Sequence, residues 1–452
     1  MGMVNRVLAA LIASACLWVP GALAQTPAAP ATPAVAGPTA DEIGALVQQT
    51  FADYSAGRFT KAEAGFRKIR TTLGPILGEE HPATLNAAHY LAMILEELGR
   101  TAEAEALDRE VWTARRRVLG EEHPDTLASA SNLALELLDL GRTAEAEALT
   151  RQVWTVRRRV QGEEHPDTLV SAGNLGSCLD ALGRTAEAEA RNRQVWMARR
   201  RVLGEEHPDT LTSASAVAVN LYALGRVADS EALERQVWMI RRRVLGEDHP
   251  KTLISAGNLA VSLGELGRTT EADAFARQVW TSRSRILGED HPDTLSAGAN
   301  FAVALAALGR MEEASALDLR IWTLRRRVLG KDHPNTLNSA ANLASGYARL
   351  GRTAEAEALL GEVAAAAEAR AGQEGASRFL IAVYAKLGDV RLRLNRFQGS
   401  YEAFARAASA SRDRYADRRA SRNTDQARGE LVRSRDAFVG QFRAGWAWAH
   451  ES

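Results

Sequence analysis

Between residues 124 and 140, apolar side chains recur at helical spacing. Leu127, Ala130, Leu133, Ala134, Leu137 and Leu138 fall three or four apart along one face. Pro124 suits a first turn, where its missing N–H is not needed, and Asp125 and Thr126 bring polar oxygens to the free amides. Gly141, followed by Arg142, supplies the left-handed conformation that ends such a helix. A second helix is predicted from Thr143, acting as its cap, to about Val160, with Ala146, Leu149, Val153, Val156 and Val160 as its inward face. Glu147 and Arg151 form an i,i+4 pair on its wet side, and Gly162 stops it.

The pattern then begins again. His-Pro-x-Thr-Leu returns at Pro82, Pro124, Pro166, Pro208, Pro250, Pro292 and Pro334, always 42 residues apart. A fixed period of this size marks one supersecondary unit stacked on copies of itself, because a lone helix pair cannot bury both of its faces. The chain is therefore expected to be all-α, with eight 42-residue helix–turn–helix repeats over 40–371 and a ninth, shorter pair over 372–412. The last stretch, 413–452, reads as a polar segment and a capping helix, on which Leu431, Phe438, Phe442 and Trp446 share one face.

The residues that repeat carry a resemblance. Asn132-Leu133-Ala134, Leu140-Gly141-Arg142, Ala146 and Val153 resemble the tetratricopeptide repeat. The 42-residue period with Leu-Gly-Glu-Glu-His-Pro-Asp-Thr-Leu resembles its kinesin-light-chain-like subtype, over roughly residues 41–370. That resemblance implies a right-handed α-solenoid superhelix of antiparallel helix pairs, first helices lining a concave groove, and a non-enzymatic scaffold for protein–protein interaction. The chain departs from the family in lacking tyrosine or phenylalanine at Thr143, and Trp154 belongs to its own copies.

Charge and the N-terminus narrow the picture. The 56 basic and 56 acidic residues cancel, which gives no sign of a nucleic-acid partner. Arg6, the apolar run Val7 to Val19, Pro20 and Ala22-Leu23-Ala24 read as an export signal over 1–24, cleaved after Ala24, so a periplasmic or secreted protein is expected. The apolar run is short for a membrane span, which takes about 20 residues. Residues 25–39 form a Pro/Ala-rich linker. Cleavage leaves Cys178 as the sole cysteine, so no internal disulfide forms.

Three repeated features invite chemistry and have plainer readings. The seven His-Pro histidines sit in different layers, about 8–10 Å apart, whereas zinc needs nitrogens near 2 Å from one ion; they read as loop residues, and no metal or cofactor is expected. The arginine triplets (Arg115–Arg117, Arg157–Arg159, Arg199–Arg201, Arg241–Arg243, Arg325–Arg327) precede acidic pairs and end helices, which reads as charge-matched helix ends. Trp112, Trp154, Trp196, Trp238, Trp280 and Trp322 read as packing between repeats. Trp448, off the face of Trp446, leaves a partner contact open at the C-terminus.

The functional candidate is an asparagine ladder on the first helices: Asn132, Asn174, Asn258, Asn300 and Asn342, with Tyr90 and Ala216 at the equivalent places in two copies. The family resemblance implies that asparagines at this position face the groove and bind a ligand's backbone, for which the amide has both donor and acceptor. The alternative is that they bond to neighbouring helices. Their flanks, Ser131, Leu135, Gly173, Ser177, Gly257, Val261, Ala299, Val303, Ala341 and Ser345, are small or apolar. The lysines and arginines that clamp acidic C-termini in such repeats are absent, so a neutral segment with apolar anchors is the expected partner. No phosphate loop, H-E-x-x-H or nucleophile elbow occurs. Two other roles stay open: self-association through the outer face or the C-terminal helix, and an enzyme or small-ligand sensor whose site no motif reveals.

Overall fold

The computed structural model describes residues 39–369, 376–420, 439–444 and 447, and every regular element among them is a helix. The expected export signal, residues 25–38 of the linker, Leu431, Phe438, Trp446 and Trp448 lie outside the described residues. Thr39, at the end of the expected linker, instead caps the first helix: its hydroxyl accepts from the Glu42 N–H, and Glu42 accepts from the Thr39 N–H at 2.7 Å.

The helices come in pairs. They are α1 (Ala40–Ser55) and α2 (Phe59–Leu77), α3 (Pro82–Glu97) and α4 (Thr101–Leu119), α5 (Pro124–Asp139) and α6 (Thr143–Gln161), α7 (Pro166–Ala181) and α8 (Thr185–Leu203), α9 (Pro208–Ala223) and α10 (Val227–Leu245), α11 (Pro250–Glu265) and α12 (Thr269–Leu287), α13 (Pro292–Ala307) and α14 (Met311–Leu329), α15 (Pro334–Arg349) and α16 (Thr353–Glu368), and α17 (Ala376–Arg393) and α18 (Phe397–Ala420). They fall into two compact units, one ending at Val202 and the other beginning at Leu203.

Each repeat is punctuated by the same three devices. At the start of every first helix from α3 to α15 the histidine before proline is the N-cap, and its ring Nδ1 accepts the backbone N–H two residues on, at 3.1–3.2 Å. This histidine, rather than the Asp and Thr oxygens that follow, satisfies a free amide of the first turn. At the helix end the glycine takes a positive φ, 76° at Gly141, and the Arg142 N–H reaches back to the Leu137 carbonyl at 2.8 Å. The second helix carries no side-chain cap: Arg142, not Thr143, holds the N-cap position, and its guanidinium pairs with Glu145 at 2.7 Å.

Packing follows the predicted faces with one exception. Leu127, Ala130, Leu133, Ala134 and Leu137 are buried, as are Ala146 and Val153. Val160 is half exposed, as are Ile76, Val118, Val244, Ile286 and Val328 at the same place in other pairs, because the last turn of each second helix runs past the following pair. The tryptophans pack between layers, as the spacing suggests. Trp112 sits against Leu127, Ala130 and Leu133 of the next first helix and Val153 of the next second helix. Trp154 and Trp238 repeat the arrangement, with Leu169 and Val195, and with Leu259 and Val279. Each such burial contributes on the order of 2 kcal/mol.

The arginine triplets divide into three jobs. The first member is buried in four of the five: Arg157 Nη1 donates to the Ser171 hydroxyl at 2.7 Å and the Asp167 carbonyl at 3.2 Å, and Arg115, Arg241 and Arg325 do the same with Ser129, Ser255 and Ser339, whereas Arg199 is half-buried. The second lies over the tryptophan four residues back, 5.0 Å from ring centroid to guanidinium for Arg158 and Trp154. The third pairs with the acid that closes the preceding repeat, as in Arg159–Glu122 and Arg243–Glu206, both at 2.5 Å. Exposed pairs of this kind each contribute about 0–1 kcal/mol, so they fix register more than stability.

At the C-terminus the short helical stretch 439–444 packs differently from expectation. Gly440 lies against the Phe404 ring, so close that a Cβ there would stand 2.3 Å from it, and Ala444 is buried, whereas Phe442 is 77% exposed. The contact is made by small residues, which let the backbone approach the ring.

The histidine cap is open to test. His249→Ala should lower stability by about 1 kcal/mol, and His249→Asn, which keeps an acceptor at the cap, should recover most of it. Urea unfolding of the two variants against the parent checks both, and equal losses would show that the imidazole acts by packing alone.

Candidate functional site

The asparagine ladder lies on the outward turns of the first helices. In the first unit Asn132 and Asn174 are half-buried, beside Leu135 and Val170, both exposed. In the second unit Asn258 and Asn342 are half-buried and Asn300 is exposed. Beside them runs a row of exposed valines, Val219 at 46%, Val261 at 40% and Val303 at 61%, with Ile254 one turn before Asn258. Of the flanking residues, Ala341 is buried, and the serines turn inward upon their own helices. Ser131 donates to the Leu127 carbonyl at 2.9 Å and Ser345 to that of Ala341 at 2.7 Å. With these hydroxyls occupied locally, the middle turns offer apolar surface and amides.

The five asparagines are not equivalent. Asn132 Nδ2 lies 3.4 Å from His89 Nε2, and His89 Nδ1 lies 3.1 Å from the buried Asp108. Asn258 is among the groups that hold the buried Glu234 carboxylate down against its burial, and that carboxylate accepts from Ser215 at 2.8 and 2.9 Å. Asn174, Asn300 and Asn342 make no side-chain hydrogen bond among the described residues. Tyr90, in the ladder position of the second pair, stacks on Phe66 with centroids 5.4 Å apart and serves the terminal core.

Beneath the ladder lies a set of residues that the motif analysis did not single out. Asp108, Thr150, Asn192, Glu234, Ala276 and Asp318 repeat every 42 residues along the second helices, and all are buried. Three of them meet a second repeating position on the following first helix. Thr150 Oγ1 is 3.7 Å from Cys178 Sγ, and Ala276 shares a core cluster with Ala304. In the first unit the meeting residues are Asp108 and Glu136, two carboxyl groups almost wholly removed from solvent. The available signal was variation: within a framework of near-identical repeats, this column changes type while the column two residues before it is alanine in all six copies.

Burial dominates the electrostatics here. It pushes the Glu136 carboxyl up to about 9, helped by the charges of Asp108, Glu96 and Glu105. Asp108 Oδ2 and Glu136 Oε2 find no hydrogen-bond partner among the described residues, and the neutral form of Glu136 that burial favours supplies a donor where the charged form has none. Burial also raises Asp318, to about 7, against the pull of Arg325 and Lys386, and raises Glu234 against its serine and asparagine donors. Among the described residues no group of three or more His, Cys, Asp or Glu side chains could hold a metal ion, and no helix is long and apolar enough to cross a membrane.

Comparison with known proteins agrees with the repeat geometry. Two family models described as tetratricopeptide repeat match the chain, one at residues 137–195 and 293–369, the other at 84–125, 210–251 and 252–293, together more than half of its length. Among solved structures, a kinesin light chain protein of Podosopora anserina with nearly identical tetratricopeptide-like repeats is 29% identical. It covers 46% of this chain and 98% of its own, with a TM-score of 0.41. The apo quorum sensor NprR of B. thuringiensis is 12% identical over 82% of this chain and 99% of its own, and apo RapI 10% over 82% and 97%, each with a TM-score of 0.55. No curated protein matches.

The raised Glu136 makes a pH prediction. Glu136 binds its proton more tightly in the folded state than in the unfolded one, so folding is favoured below its ordinary value of 4.5 and loses that advantage as pH rises toward about 9. The slope is at most about 1.4 kcal/mol per pH unit. Glu136→Gln keeps the volume and the donor to Asp108 and removes the titration. Urea midpoints measured from pH 5 to 8.5 should fall less steeply for the variant, which should be the more stable protein at the alkaline end. Parallel slopes would mean that Glu136 is not raised in the folded protein.

Proposed function

Because the chain belongs to the tetratricopeptide-repeat family, whose solenoids typically serve protein–protein interaction and are generally not enzymes, we propose that it is a scaffold. In this reading it binds an extended or helical peptide segment on the outward face of its first helices. One observation carries the reading. Val219, Val261 and Val303 stand exposed in phase with Asn258, Asn300 and Asn342, and no charged side chain occupies those middle turns. Apolar side chains of a ligand would cover the valines, and its peptide groups would pair with the amides. Asn300 and Asn342, which make no side-chain hydrogen bond among the described residues, are the contacts expected to matter most. The absence of cations on these turns favours a neutral or apolar segment over an acidic C-terminus.

The test is a peptide selection against the full chain. Selected sequences should carry branched or aromatic anchors three to four or two residues apart and little negative charge. The double variant Asn300→Ala, Asn342→Ala should bind them at least about tenfold more weakly, each lost hydrogen bond being worth about 0.5–1.5 kcal/mol, with helicity and melting unchanged. Undiminished binding would remove the face from consideration, and unfolding of the double variant would make these asparagines structural.

The same reading puts the scaffold outside the cytoplasm, on the strength of Arg6, the apolar run to Val19 and Ala22-Leu23-Ala24. N-terminal sequencing of the protein recovered from its native host should begin at Gln25. A mature chain still carrying Val7 would overturn the assignment.

A further inference from the structure

Beside each inter-layer tryptophan is a slot between successive second helices, and in most layers it is filled. Around Trp112 the side chains of Leu149 and Val156 leave about 10 Å³, and around Trp280 those of Leu317 and Leu324 leave about 10 Å³. The Trp154 slot is closed by Arg191, 4.3 Å above the ring, and that of Trp238 by Phe275, edge-on at 5.0 Å. At Trp322 the slot is open, with a volume of about 450 Å³, within the range of small-molecule sites.

The sequence explains the opening. Ala365 and Ala366 of α16 stand where α6 has Thr155 and Val156, so the wall facing Trp322 is cut back to methyl groups. Leu337, Leu359 and Val363 complete an apolar interior. The rim changes as well. In the pairs before it the residue five after the second arginine is glutamate, as at Glu121, Glu163 and Glu247, where it approaches Arg116, Arg158 and Arg242. Here that residue is Lys331, so Arg326 lies over Trp322 at 5.4 Å without this acidic neighbour, and Lys331 makes no ion pair among the described residues. Asp332 at the same rim is already engaged within the protein, and Glu362 lines the opening at the position from which Gln278 and Arg320 reach Glu247 and Glu289 in earlier pairs.

We propose that this slot is a binding site for an apolar, preferably aromatic, side chain borne next to a carboxylate. The ring would enter against Trp322, and the carboxylate would meet Lys331 and Arg326, which have donors and no acceptor. Two sources supply that chemistry: a free amino acid, and the last residue of a polypeptide. Glu362 distinguishes them, because only a free amino acid brings an ammonium for it to pair. The site lies between second helices, apart from the asparagine-bearing face, and does not depend on what that face binds.

Calorimetry on the full chain with phenylalanine, N-acetylphenylalanine and phenylalanine amide tests the assignment. At least one of the two carboxylates should bind with one-to-one stoichiometry, and about tenfold more tightly than the amide. Preference for phenylalanine identifies a free amino acid as the ligand, and preference for the acetylated form identifies a chain terminus. Ala366→Leu, which repeats the closure that Leu324 provides one pair earlier, should abolish binding. Lys331→Glu, which restores the residue of the preceding pairs, should weaken the carboxylates about tenfold and spare the amide. Both variants should melt as the parent does. No binding of any probe at 10-millimolar order, or binding unchanged in Ala366→Leu or in Lys331→Glu, would overturn the proposal.

Discussion

A pair of short helices has two apolar faces and can cover only one of them, so within each unit a layer that carries a tryptophan depends on the next to bury it. Trp112, Trp154 and Trp238 each reach into the following pair, touching both of its helices at once. A side chain that large admits one register between layers, because a shift by a turn would drive the indole into backbone. The buried arginine three residues later reinforces it. Arg157 ties the end of α6 to Ser171 and to a carbonyl in the first turn of α7, so the tryptophan and the helix start move together. Exposed pairs such as Arg159–Glu122 then add direction at little energy.

That dependence explains what the sequence could and could not disclose. Helix limits were legible because caps and stops are local. His-Pro opens a helix and Leu-Gly-Arg closes one through bonds within five residues, and the observed α5, Pro124–Asp139, lies where the pattern put it. The inward faces were legible for the same reason, through Leu133 and Val153. Val160 was misplaced because periodicity reports the face of a helix and not how far a neighbour extends along it. Thr143 was misread as a cap because a threonine beside Gly-Arg looks like one in any short window, whereas the chain turns one residue earlier and leaves Arg142 in that position.

The polar column was illegible for a different reason. Asp108 and Glu136 are 28 residues apart and belong to different pairs, so nothing in either helix marks them as partners. Read singly, each resembles the many carboxylates that do lie in solvent, and only the layer stacking shows that both are buried. The asparagine ladder was half legible. Phase placed all five on the same turn of their helices, but it could not show that Asn132 approaches His89 while Asn300 and Asn342 make no side-chain hydrogen bond among the described residues.

The repeats therefore carry two kinds of position. At the first kind (the capping histidine, the closing glycine, the tryptophan and the buried arginine) a change in one layer would break the register of two, and these hold nearly constant. At the second kind a change can be absorbed by the single residue opposite. Asn192 of α8 fits because Gly176 of α7 has no Cβ, which would stand 2.3 Å from the amide oxygen, and the equivalent residues Ala134 and Ala218 show that glycine is not otherwise required. Thr150 with Cys178, and Ala276 with Ala304, are other solutions to the same local fit. Differences between layers are thus confined to places where packing tolerates exchange, and the cut-back wall opposite Trp322 belongs to this second kind. Replacing Val156 by alanine in its equivalent, Ala366, removes bulk from one side of a slot without disturbing the tryptophan that sets the register. A solenoid built this way can acquire a cavity in one layer at the cost of that layer's packing alone, because no other layer's register passes through it.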